Sequence, residues 1–298
     1  MKSTPLWLGV LAALTIGCGG PDGRPNDGRP DGGGNNGDGG GSNTDDCSDD
    51  AKLVYVVDSN NMFSRFDPST KTFQNIGALD CPAEPDILGF PATPFSMGID
   101  RTPTAWVLYS SGELFKVNTD TAACEPTSWT APLNLPLFGM GFSTDAQGGS
   151  AETLYIAGGT DPGAGGPSTF ASLNTSTMTS STLGSVQGSP ELTGTGNAEL
   201  WGFFPSASGS RVEKINKASG ASAGTTFTLS GPLVGQPSAW AFAFWGGDFW
   251  VFLEKSTDSN TTVYQIDGTN GSVKGMTNAS GRSIVGAGVS TCAPTIIL

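Results

Sequence analysis

The chain has 298 residues, 14 Lys plus Arg against 27 Asp plus Glu, no His, and a formal net charge of −13. Without clustered basic side chains it offers no phosphate-binding surface, which excludes a nucleic-acid partner. Without His it has no Ser-His-Asp triad, no Cys-His pair and none of the common His-bearing metal sites. The length suits one large domain or two small ones. Charged residues make up 14% of the chain, Gly numbers 44, and the apolar runs are rich in Val, Phe, Tyr and Trp. That composition suits an all-β exported protein with many turns.

The N-terminus reads MKSTPLWLGVLAALTIGCGG. Lys2 supplies a basic end, and Leu6 to Ile16 is an apolar stretch too short to span a bilayer as a mature helix. Leu14-Thr15-Ile16-Gly17-Cys18 resembles a bacterial lipobox, although Leu14 stands one place farther from the Cys than the box's usual leucine. The resemblance implies a signal peptide over 1–17 and a lipid on Cys18 that holds the chain to a membrane. Gly19 after the Cys, rather than Asp, implies the outer membrane or cell surface, with a periplasm-facing domain as the other arrangement. The same residues also admit an ordinary cleaved signal with an incidental Cys. Residues 18–46 form the tether: after Cys18 they read GGPDGRPNDGRPDGGGNNGDGGGSNTDD, with no apolar residue to enter a core, so disorder is expected. Its Asp and Gly lack the EF-hand spacing, so no calcium site is expected. A Gly-rich coil of this length reaches about 30 Å.

From Cys47 onward one unit recurs. The corners FDPSTKT (Phe66), VNTDTAA (Val117), LNTSTMT (Leu173), INKASGA (Ile215) and IDGTNGS (Ile266) start 51, 56, 42 and 51 residues apart. Each is an apolar residue, then Asp or Asn, then a polar turn. The Asx side chain can accept a hydrogen bond from the amide two residues on and so fix a tight hairpin. Periods of this size indicate propeller blades. Ahead of the corners stand aromatic-rich runs: LVYVV (Leu53), AWVLY (Ala105), TLYIA (Thr153), ELWGFF (Glu199) and DFWVFLE (Asp248). Ahead of four of these runs stand strands with small residues at alternate places: SMGID (Ser96), GMGFS (Gly139), LTGTG (Leu192) and AFAFW (Ala241). A fifth, GAGVS at Gly286, has no partner after it, and LVYVV has none before it. Pairing these two orphans closes a ring. The expectation is an all-β domain over 47–298, a five-bladed β-propeller of four-stranded blades, closed by the C-terminal strand pairing with the N-terminal blade. Alternation places Gly98, Gly141, Gly194, Ala243 and Gly288 on the axis side of the inner strands. A generic β-sandwich is the competing architecture.

With Cys18 assigned to lipid, Cys47, Cys81, Cys124 and Cys292 remain, and four Cys in an exported chain imply two disulfides. Three pairings are possible. Closure by the C-terminal strand brings Cys292 beside Cys47, which leaves Cys81 with Cys124. No Cys-x-x-Cys pair is present, so no metal and no cofactor are expected.

The connections of second to third strands, and of fourth strands to the next blade, share one face of a propeller. Here they are the long ones, and long loops on a rigid scaffold are where binding usually sits. Glu191, at the start of an inner strand, is expected near the channel mouth on this face, with Asp86, Asp161 and Asp258 on its loops. These four are the candidate binding residues for a protein or glycan partner of a monomeric module. The alternative is a glycoside hydrolase in which Glu191 works with Asp86 or Asp161, since a carboxylate pair can act without His. Trp201, Trp240, Trp245 and Trp250 crowd the last two blades; core packing is the expectation, and a sugar platform the alternative.

The passages ELTGTGNAELWGFFP, AWAFAFWGGDFW and IVGAGVSTCAP, together with the lipobox and tether, resemble uncharacterised bacterial surface lipoproteins with a β-propeller domain. The resemblance implies an architecture and supplies no catalytic motif.

Overall fold

The computed structural model describes residues 47–160 and 166–296. The signal peptide, Cys18, the tether and Asp161 lie outside the described residues. After a one-turn 3-10 helix at Asp50–Lys52, the described residues form twenty strands. They are β1 (Val54–Asp58), β2 (Met62–Asp67) and β3 (Thr72–Ala78); β4 (Pro94–Ile99), β5 (Thr104–Tyr109), β6 (Leu114–Asn118) and β7 (Cys124–Pro126); and β8 (Leu137–Thr144), β9 (Glu152–Gly159), β10 (Pro167–Asn174) and β11 (Thr179–Gln187). There follow β12 (Glu191–Gly194), β13 (Leu200–Phe204), β14 (Arg211–Ile215) and β15 (Ser222–Thr228), then β16 (Pro237–Trp245), β17 (Asp248–Lys255), β18 (Thr262–Asp267), β19 (Val273–Asn278) and β20 (Ile284–Gly288).

Five antiparallel four-stranded sheets result, and the first has the order β20-β1-β2-β3. The chain therefore forms the expected five-bladed propeller, and β20 is the inner strand of the N-terminal blade. Its pairing with β1 runs Tyr55 to Gly288, Val56 to Ala287 and Val57 to Gly286. The disulfides are Cys47–Cys292 and Cys81–Cys124. The first stands beside the β20–β1 seam; the second pins the long β3–β4 connection to β7.

The five Asx corners join third to fourth strands in every blade. Asp67, Asn118, Asn174, Asn216 and Asp267 each accept, through Oδ1, the amide two residues on, at 2.8–2.9 Å. The stretch that recurs is thus a turn device, with its acceptor used up by the local backbone.

The second strands read as unbroken apolar runs because both of their faces are buried. In β1, Val54 and Val56 enter a core shared with Ala243, Trp250 and Phe252 of the fifth blade, while Tyr55 and Val57 enter one shared with Met97, Ile99 and Val107 of the second. Three further cores fill the remaining gaps between neighbouring blades. The glycine expectation is corrected by the same geometry. Alternating positions on an inner strand face the two flanking blades, and the axis sees strand edges. A Cβ on Gly141 would meet the Leu192 backbone at 2.8 Å, and one on Gly288 would meet Ile99 Cγ1 at 2.9 Å. These glycines let neighbouring inner strands approach one another.

Candidate functional site

The first residues of the inner strands converge on the long-loop face. Thr93, Pro94, Phe95, Glu191, Ser238, Ala239, Trp240 and Val285 line a cavity of about 200 Å3 there. They come from four of the five blades, so the cavity is the mouth of the propeller axis. Phe95 and Trp240 are half-buried.

Glu191 is 3% exposed. Its Oε2 accepts the Ser96 hydroxyl at 2.8 Å, across from its own blade. Burial pushes its carboxyl well above the usual range, and hydrogen bonds from Ser96 and the Met140 backbone oppose that shift without cancelling it. Burial at the mouth therefore favours the protonated form of this acid.

Among the described residues Glu191 is the only acidic side chain lining this cavity. Asp86 spends its Oδ1 on the amides of Leu88 and Phe90, at 2.9 Å each, and so caps its own loop. Asp258 accepts the Lys255 amide and stands 3.8 Å from the Lys255 ammonium, closing the β17–β18 connection. Of the predicted residues, then, the structure brings Glu191 to the mouth and gives Asp86 and Asp258 local turn duties. Trp201 and Trp250 are core, while Trp245 donates its indole N–H to the Lys52 carbonyl at 2.8 Å. Trp240 divides its surface between the fourth interblade core and the cavity.

Two features escaped the sequence reading. The first is Phe95, which joins Trp240 at the mouth. The second is a set of apolar loop tips on the same face: Ile87 is 95% exposed, Leu88 74%, Phe90 63% and Leu133 96%. The first three sit on one stiffened loop. Asp86 caps it, Glu84 donates its amide to Glu113 Oε2, Cys81–Cys124 fixes its base, and Pro82, Pro85 and Pro91 restrict its backbone. The only sequence signal was ILGF, an apolar run between prolines inside a long loop.

The opposite face carries a larger hollow, about 330 Å3, over Glu152, Ser172, Asn174 and Ser176. Glu152 accepts the Arg101 amide at 2.8 Å and the Thr291 hydroxyl at 2.7 Å. Burial raises it to about 7, more than those two hydrogen bonds lower it. The sign follows from proton linkage. Between about 4.5 and 7 the folded form holds a proton that the unfolded chain has lost, so this contribution is complete at low pH and disappears as pH rises through 7. Melting temperature is expected to fall from pH 5 to pH 8, with a shallower slope in Glu152→Gln; equal slopes would remove Glu152 from the account.

Among the described residues no group of three His, Cys, Asp or Glu side chains could hold a metal ion, and no helix is long and apolar enough to cross a membrane.

No family model matches the chain, and no curated protein is similar to it at a significant level. Solved structures resemble it at a distance. Virginiamycin B lyase from Staphylococcus aureus is 14% identical over 78% of this chain and 70% of its own, with a TM-score of 0.39. A protein from Lactobacillus plantarum is 14% identical over 81% of this chain and 72% of its own, with a TM-score of 0.43. A luciferin-regenerating enzyme is 15% identical over 78% of this chain and 92% of its own, with a TM-score of 0.43. At these values the likenesses add nothing about activity.

Proposed function

We propose that this protein is a lipid-anchored exported binding module that engages a protein partner through the long-loop face of its propeller. The observation that carries the reading is the stiffened apolar loop. Three large apolar side chains held in water on a capped, disulfide-pinned, proline-flanked loop are costly to solvate and lose little freedom on docking. Apolar tips of this kind suit a protein pocket better than a glycan. Among the described residues Glu191 has no acidic companion in the cavity, which weighs against its pairing with Asp86 in the hydrolase reading.

The anchoring part rests on the lipobox resemblance at Cys18, and the outer-membrane or cell-surface address on Gly19. Cys47, where the described domain begins, stands with Cys292 at the short-loop face. The anchor-bearing segment therefore joins the domain at the face opposite the apolar loop.

Cells producing the full-length chain are expected to incorporate an alkyne-tagged fatty acid, and Cys18→Ser to abolish the label. A photo-crosslinker at Leu88 or Leu133 is expected to trap one defined protein on those cells. The same group at Met276, an exposed outer-strand residue, is expected to trap none. Label that persists in Cys18→Ser would overturn the anchor, and crosslinking equal from all three positions would overturn the face.

A further inference from the structure

We propose that the axis mouth is a binding site for an organic ammonium group, with Glu191 as its counter-ion and Phe95 and Trp240 as its aromatic walls. The site goes beyond the apolar-loop reading, because it uses other residues and a small ligand.

Among the described residues Glu191 has no counter-ion. The strands packed around it are β4, β8, β9, β13, β16 and β20. Their sequences PFSMGI, LFGMGFST, LWGFF, PSAWAFAFW and IVGAG contain no titratable side chain, and β9 carries only Glu152 and Tyr155. Glu152 lies at the opposite face, and Tyr155 enters the core between the third and fourth blades. A buried carboxyl in such surroundings stays protonated until a cation arrives. An anion would meet no Lys or Arg at the mouth. A cation meets the carboxylate and two aromatic rings, a combination that holds ammonium groups. The chain's net charge of −13 draws cations toward the surface. A volume of about 200 Å3 is below that of sites for drug-sized molecules and fits a headgroup.

Binding then exchanges one proton for one cation. The ammonium enters, Glu191 releases its proton to solvent, and the ion pair is closed by the Ser96 hydroxyl. Affinity must therefore rise with pH while the carboxyl still titrates. The ammonium could belong to a lysine side chain or to an amino sugar, which share this chemistry.

The test is calorimetric titration of the full-length protein with Nα-acetyl-lysine amide, glucosamine, tetramethylammonium and glucose at pH 5, 6.5 and 8. The expected result is binding of at least one ammonium probe, at least tenfold tighter at pH 8 than at pH 5, with no heat from glucose. Preference for the lysine derivative over glucosamine, or the reverse, identifies the source. Glu191→Gln keeps the shape of the side chain and is expected to abolish the pH dependence and weaken binding at least tenfold at pH 8. Trp240→Leu is expected to weaken it at every pH. Binding of glucose equal to that of the ammonium probes, pH-independent affinity, or undiminished binding by a folded Glu191→Gln protein would overturn the proposal. So would the absence of binding by every ammonium probe. None of these outcomes bears on crosslinking from Leu88, so the two readings fail separately.

Discussion

Replacing Cys47 and Cys292 together by serine is expected to lower the melting temperature by roughly 10–20 °C. The bond joins residues 245 apart in sequence, so its loss frees nearly the whole domain in the unfolded state. In the chain-entropy account a closure of this size stabilises by about 5–6 kcal/mol, and a domain this large shifts about 2–4 °C per kcal/mol. The Cys81–Cys124 bond spans 43 residues and is worth roughly 1–2 kcal/mol less on the same account. Its removal should also loosen the loop that carries Ile87, Leu88 and Phe90. Thermal unfolding followed by near-ultraviolet circular dichroism ranks the two. A change below about 3 °C for the Cys47/Cys292 pair would mean that the β20–β1 hydrogen bonds close the ring unaided.

Gly194→Val is expected to yield no folded protein, and Gly194→Ala to cost about 3 kcal/mol or more. A Cβ at this position would overlap the Phe142 carbonyl oxygen and stand 2.7 Å from Ser143 Cα. Both are backbone of the neighbouring inner strand, which is itself held by pairing to β9 and cannot yield as a side chain would. Gly159, with nothing within 4 Å of an added Cβ, is the control, and its alanine variant should stay within about 0.5 kcal/mol of the parent. Denaturant titration of the alanine variants separates them; equal midpoints would show that the inner ring tolerates expansion.

The architecture was legible because two strands lacked partners. LVYVV had no small-residue strand before it and GAGVS had none after it, and only mutual pairing resolves both. The Asx corners were legible for a local reason: an Asp or Asn oxygen two residues before a free amide makes the same turn wherever it occurs. The facing of the glycines was not, because a period of two assigns residues to two faces without saying what each face meets. In a propeller both faces meet other blades. At the site, Glu191 was placed by strand register alone, as the first residue of an inner strand. Phe95 was missed, and Trp240 was read as core before sugar platform, because aromatic residues near a strand start look like core residues until the neighbouring blades converge. Ile87 and Leu88 were missed because loop length was read and loop chemistry was not.

The order β20-β1-β2-β3 also sets a timetable for folding. Strands β1 to β3 are made first, yet the inner strand of their blade, β20, follows only after the other four blades. Until residue 288 has emerged, that blade has an open edge on β1 and the ring has a gap beside it. Contacts between segments more than 200 residues apart must form late and slowly. Such a chain stays an open ring until β20 has been made. Oxidation of Cys47 and Cys292 can occur only once β20 has docked beside β1, so the seal is set last and makes the folded ring hard to reopen.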